Sequence, residues 1–238
     1  MEFGKVKIPT EVYLGFLGET IQIHWDNHAY LMVFIWFVLV PIGIMAIRYG
    51  KPKPTQRGIE TKISLFNPRW WWFSIHKFGL YIAMGLSLVA AAIAIVVSQG
   101  FSGSLHAVFG IATVLLGLLQ VISSWFRGTH GGRYYYTGRE NDPDTWFGDH
   151  YLMTTRRQLF ETYHKVAGYL AGFFAFGAVG SGLMQFPLPG LAIFVLIIVA
   201  GFTIFWMVLH YKGKQHDGYR AVFGYGMEHP YNEARKEL

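Results

Sequence analysis

The chain has 238 residues, 53% of them hydrophobic and only 14% charged, with a formal net charge of +6. A soluble domain carries about 25% charged residues, so the deficit points to lipid, and the placement of the basic residues described below argues against nucleic acid as the source of the positive balance. Cysteine is absent, which excludes disulfides, iron–sulfur clusters, thiolate metal sites and covalently attached c-type haem.

The chain opens with an arm over residues 1–27. Met1 to Pro9 has no apolar core and no cleavage-like motif, so it does not read as a signal peptide, and the first true helix is expected to act as its own insertion signal. Ile8–Ile23 mixes apolar and polar residues without clear periodicity and is expected to lie in the membrane interface as an amphipathic helix. Five stretches then follow, each long and apolar enough to cross about 30 Å of hydrocarbon, which takes roughly 20 residues. They are Ala29–Ile47, Phe78–Val97, Leu105–Phe126, Val166–Phe186 and Leu191–Leu209, and none contains Lys, Arg, Asp or Glu. Backbone groups have no water to bond in a bilayer core, so such runs must be helical. Tryptophan, tyrosine and phenylalanine make up 18% of the chain, and many sit at the ends of these runs, as interfacial aromatic belts do. The expected organisation is the arm, a transmembrane domain over 28–211 with long connections at 48–77 and 127–165, and a tail over 212–238. Lys51-Pro-Lys-Pro-Thr reads as an extended link. Residues 127–158 are long for a connection inside a bundle, and loops of that length are often functional.

The basic residues sort between the connections. The two long connections and the tail carry 18 of the 20, only Lys5 and Lys7 precede the first run, and the turns at 97–104 and 187–190 carry none. The positive-inside rule then places the long connections and the C-terminus in the cytoplasm and the N-terminus outside, with a bacterial inner membrane as the expected location. An odd number of spans agrees with termini on opposite faces.

Among ten histidines, His28, His76, His106 and His164 each sit near the N-terminal end of one of the first four runs. Successive helices alternate in direction, so His28 and His106 fall toward one face and His76 and His164 toward the other. In an up-down four-helix bundle, helices one and three are diagonal partners, as are two and four. Each pair can then face across the bundle axis at one depth, which is what the two axial positions of a six-coordinate haem require. The expected fold is therefore an all-α membrane protein of five spans, the first four bundled around two haems b.

Neighbouring residues fit that expectation. Gly79 follows His76 by three positions, Gly110 follows His106 by four and Gly168 follows His164 by four. Each lies one turn on, on the ligand's face, where a side chain would crowd a porphyrin. His28 departs from this, with Met32 at the equivalent place. A single membrane histidine also serves as an interhelical hydrogen-bond donor or a proton-path member, and a glycine as a close-packing device. Four histidines at matched depths, one per helix, favour the haem reading. His24 and His28 form HxxxH, half of a di-iron pattern, but no further histidine box completes it. His130 and His150 are expected to be solvated in a polar loop, and His216 and His229 in the tail. His210 is expected at the interface or against a haem edge.

His28-Ala-Tyr-Leu-Met, the Arg48-Tyr49 ending of the first run, Trp72–His76, Leu105-His-Ala-Val-Phe-Gly and His164-Lys-Val-Ala-Gly together resemble the transmembrane cytochrome b561 superfamily. The likeness is closest to the core attached to DOMON domains in ferric-chelate-reductase-like proteins, and covers roughly residues 25–210. It implies that His28, His76, His106 and His164 bind two haems, paired first with third and second with fourth. It also implies transmembrane electron transfer between ascorbate, a quinol or another reductant and an acceptor on the opposite side, by a b561-type oxidoreductase or carrier. The 238 residues depart from the family in having no DOMON domain, no evident sixth span and a long 127–158 connection. Haem propionates need cationic or hydrogen-bonding partners, and Arg69, Lys77, Arg127 and Lys165, with Arg156 and Arg157, are the candidates. The same cations are also what a positive-inside flank supplies.

The histidines equally suit the cytochrome b subunit of a larger dehydrogenase, hydrogenase or respiratory complex that exchanges electrons with quinone or with a periplasmic or membrane redox protein. Only a co-purifying partner separates that reading from a free-standing carrier. A haem-free di-iron enzyme and a purely structural subunit are the remaining classes.

Overall fold

A computed structural model describes residues 9–64 and 66–236. It contains five helices long and apolar enough to span a membrane: Trp25–Tyr49, Pro68–Val97, Leu105–Trp125, Thr155–Gln185 and Pro189–Tyr211. Most residues of each span remain uncovered by protein, and side chains such as Ile82, Leu196 and Ile197 are 60%, 69% and 64% exposed. These are the surfaces of a multi-pass membrane protein, whose solvent is hydrocarbon.

The arm corrects the expected amphipathic helix. Strands β1 (Glu11–Leu14) and β2 (Glu19–Gln22) form an antiparallel hairpin, with Glu11 opposite Gln22 and Leu14 opposite Glu19. β-branched Val12, Thr20 and Ile21 favour strands. Gly15 and Gly18 disfavour a helix, and Gly18 takes φ +69° to close the turn. Ile8 lies outside the described residues.

Local sequence explains each span boundary. The first span carries a π-helical turn, Ile35–Leu39, immediately before Pro41. Proline supplies no N–H to the helical ladder, and a wider turn absorbs the disruption. A Cβ at Gly50 would collide with Ala46 O, Trp71 and Trp72, so the chain leaves this span through a contact only glycine allows. Asn67 caps the turn that enters the second span by accepting from Arg69 N at 2.9 Å, and Ser104 caps the third through Ala107 N at 3.2 Å. The fourth helix has 31 residues, about 46 Å long, and so projects beyond the hydrocarbon. Its first turns are polar, and Glu161 pairs there with Arg157 at 3.0 Å and Lys165 at 3.2 Å.

The third and fourth spans make the most extensive contact, the first packs along the second, and the fifth lies against the first. The fourth presents buried Ala167, Ala171, Ala175 and Ala178 in one stripe, the small-residue surface that lets membrane helices approach closely.

The two ends of the helices differ. At one, the hairpin side, Trp25 Nε1 donates to Pro9 O at 2.7 Å. At the other, the basic side, both long connections and the C-terminal segment fold together over a shared core of Ile59, Trp70, Trp146, Tyr151, Tyr219 and Phe223. Ile59 N donates to Val222 O at 3.0 Å, Tyr225 N to Thr55 O at 3.0 Å and Tyr219 Oη to Tyr151 O at 2.7 Å. Gly58, at φ +66°, lies directly against the Val222 carbonyl.

Candidate functional site

On the hairpin side the first and third spans bring His28 and His106 together, with ring centres 6.2 Å apart and planes at 88°. His106 Nδ1 lies 2.8 Å from Ala178 O on the fourth span. A carbonyl can only accept, so Nδ1 carries the proton and Nε2 keeps its lone pair. The ring reaches this carbonyl because residue 182 is glycine: a Cβ there would stand 2.9 Å from His106 Nδ1. His28 contacts the edge of Trp25, with ring centres 6.1 Å apart. The pair borders a cavity of about 250 Å³ whose walls include Met32, Trp36, Gly110, Val114 and Ala175. No atom lies within 4 Å of a Cβ placed at Gly110, so that glycine keeps part of the cavity open.

On the basic side the second and fourth spans bring together His76 and His164, again with ring centres 6.2 Å apart and with planes at 73°. His76 Nδ1 lies 3.1 Å from Gly43 O, which fixes the same tautomer as at His106. Gly43 is also where the second span docks, since a Cβ there would meet Leu80 at 2.9 Å. His164 Nδ1 lies 3.5 Å from Ser123 Oγ, whose own proton goes to Gln120 O at 2.9 Å. The Gln120 side-chain amide lies against the same ring nitrogen and Gly168 N, and Phe160 packs on the ring at 5.2 Å. Gly79 is open, whereas a Cβ at Gly168 would face the Gln120 amide at 3.7 Å.

This spacing has a chemical meaning. An imidazole nitrogen lies about 2 Å from a bound metal, and its ring centre about 1.1 Å further on, so two rings on opposite sides of one metal have centres about 6 Å apart. Donation of the second ring nitrogen to a carbonyl is the usual support of a ligating histidine. Each pair supplies two nitrogens only, and among the described residues no group of three or more His, Cys, Asp or Glu could hold a metal ion.

The four expected cations are arranged unevenly. Arg127 lies over Phe73 at 5.3 Å and Lys77 over Tyr81 at 5.7 Å. Lys165 is taken by Glu161, and Arg69 is exposed. His24 is exposed and His216 half-buried, and exposed His210 stacks on Trp206 at 5.8 Å.

Three histidines expected to be solvated are instead packed into the basic-side core. His130 and His150 lie with their Nδ1 atoms 3.2 Å apart and both rings against Phe223. His229 is 4% exposed, with Nδ1 3.2 Å from Tyr151 Oη. Burial, reinforced by Arg127 and Arg157, pushes His130 down to about 3 and His150 well below the ordinary histidine value. Burial also lowers His229. The polar composition of the connection concealed the aromatic residues that close over these rings. Sequence reasoning also missed Gly43, Ser123, Gln120, Ala178 and Gly182. Two of these act through backbone carbonyls, which every residue possesses, so only the small side chains at 43 and 182 left a signal.

No family model, no curated protein and no solved structure matches this chain.

Proposed function

We propose that the first four spans form an up-down bundle around two haems b, held by His28 with His106 and by His76 with His164, and that the protein carries electrons across a membrane. The observation that carries this reading is the pair of facing histidine couples, each with ring centres 6.2 Å apart. Each pair offers two nitrogens and no further protein donors among the described residues, which suits a group that would bring its own remaining ligands, as a porphyrin does. A haem b held in each site would supply one-electron chemistry.

The chain's own residues determine the rest. The His106–Ala178 and His76–Gly43 bonds fix ring orientation and leave Nε2 of each histidine free to ligate. Apolar walls such as Met32, Trp36 and Val114 exclude water at the hairpin side. Ligation by His28 with His106 and by His76 with His164 would favour electron transfer over oxygen chemistry. Concentration of the cations on one side supports a cytoplasmic basic side and an external hairpin. A quinol, ascorbate or a redox protein on either face is the class of partner this reading requires.

The deciding experiment is the visible spectrum of the dithionite-reduced purified protein with an extracted-haem count. Two noncovalent protohaems per chain with low-spin b-type bands are expected. A protein that binds no haem when expressed in a haem-replete host would overturn the reading.

A further inference from the structure

At the basic end of the first span, two adjacent buried donors have no acceptor. Arg48 Nε and the Tyr49 hydroxyl are both buried without a hydrogen-bond partner among the described residues, and Tyr49 is only 8% exposed. Buried donors are rarely left unmet, and an unmet one commonly marks a missing ion or ligand. The remaining Arg48 nitrogens make long bonds to neutral oxygens, Nη1 donating to Tyr169 Oη at 3.4 Å and Nη2 to Gln215 Oε1 at 3.3 Å. No ion pair among the described residues includes Arg48 or Lys51. The nearby carboxylates are engaged elsewhere, Glu161 with Arg157 and Lys165, and Asp217 with Arg235 and the Arg220 backbone N–H. Lys51 adds a second cation; burial lowers its affinity for a proton, with Lys165 and Arg48 acting in the same direction and Asp217 and Glu161 opposing it. This corner therefore holds two positive side chains and a buried hydroxyl, and the carboxylates near it, Glu161 and Asp217, are paired with other cations.

Its position suggests the source of a further anion. The Arg48 guanidinium sits between the rings of Tyr49 and Trp206, 5.7 Å and 5.9 Å from their centres, where the first span leaves the hydrocarbon. The fifth span meets the fourth toward the hairpin side, through Val179, Leu183 and Val195. Toward the basic side Tyr169 and Phe173 are 67% and 68% exposed, and Phe205 and Trp206 are 52% and 38% exposed, leaving an aromatic face open to lipid. We propose that Arg48, Tyr49 and Lys51 bind the phosphate of an anionic phospholipid whose acyl chains lie along the fourth and fifth spans on the basic side. A guanidinium matches phosphate oxygens with paired donors. Basic pockets between spans are where anionic headgroups settle. The lipid would also tie the sparsely covered fifth span to the rest of the molecule. A carboxylate of a haem held at His76 and His164 has the same chemistry, but the Tyr169 and Trp206 side of the guanidinium faces the open surface.

The inference is tested on the full-length protein, with haem content measured first, by native mass spectrometry and thermal unfolding after delipidation and addition of phosphatidylglycerol or phosphatidylcholine. One phosphatidylglycerol should stay bound per chain and raise the unfolding temperature, whereas phosphatidylcholine should not. Arg48→Gln and Lys51→Gln should each weaken retention about tenfold, as loss of one charge-assisted bond implies. Tyr49→Phe, which keeps the packing, should weaken it in the same direction and guards against misfolding of the Arg48 variant. Equal retention of the two lipids, or unchanged retention in the folded variants, overturns the proposal. Unchanged retention combined with an altered haem spectrum in Arg48→Gln assigns the anion to a haem carboxylate and overturns it equally. Haem loss alone, with lipid retention intact and sensitive to Arg48, leaves the lipid site standing and the electron-transfer reading in question.

Discussion

A methyl group at residue 182 would sit 2.9 Å from His106 Nδ1, beside its bond to Ala178 O. Gly182→Ala must therefore push the ring off its acceptor. The expected outcome is loss of the hairpin-side haem, or at least tenfold weaker binding, with the other haem intact, read as haem per chain. Replacing the proposed ligands themselves separates the sites more sharply. His106→Ala should abolish one b-type signal and His164→Ala the other, because the two pairs lie toward opposite helix ends and share only the scaffold. If His106→Ala kept two haems with unaltered spectra, His106 would not be a ligand. The four paired histidines were legible in the sequence through their matched positions near helix starts. Their orienting partners were not, since Ala178 and Gly43 contribute carbonyl oxygens whose exposure depends on another helix arriving.

At the scale of elements, the fourth span shows how small residues set distance. Ala171 and Ala175 are 4% and 3% exposed on the side that meets the third span, and Gly177 admits Phe109 where a Cβ would approach within 2.8 Å. Ala171→Leu should wedge the two helices apart at a cost of about 1–3 kcal/mol, the usual range for overpacking. Because His106 and His164 sit on these two helices, thermal stability and haem content should fall together. An Ala171→Leu protein with wild-type stability would show that this seam tolerates expansion. The arm carries the opposite lesson. Its lack of periodicity left helix and strand both available, and the hairpin arises because Val12 and Tyr13 find partners in Ile21 and Thr20, pairing that no local pattern announced.

At the scale of the whole molecule, the positive side is also the side with a folded cap. Reporter fusions should place the C-terminus in the cytoplasm and the N-terminus outside; a cytoplasmic reporter active at the N-terminus would reverse the assignment. The cap should also be acid-sensitive. Burial holds His130 at about 3 against an ordinary value of 6.5, with His150 displaced the same way. The unfolded chain therefore binds more protons below pH 6.5 than the folded one does, and stability falls as pH drops from 6.5 toward 3. Each such histidine contributes up to roughly 1.4 kcal/mol per pH unit in that window. His150→Gln should flatten the decline in unfolding temperature between pH 7 and 5, whereas an unchanged slope would remove these rings as its cause.

The sequence by itself determined the five spans, the segregation of charge and the candidate ligands. These follow from local quantities: hydropathy over roughly twenty residues, the count of Lys and Arg in each connection, and the distance of a histidine from a helix start. Only the tertiary structure decided that the 127–158 connection is a packed cap with buried His130 and His150, and that Gly43 and Gly182 seat the histidine rings. It alone left Arg48 Nε and the Tyr49 hydroxyl without a hydrogen-bond partner among the described residues. These depend on which segments meet, and residues such as Tyr151 and Phe223, 72 positions apart in the chain, meet only after the helices have placed their connections on one side.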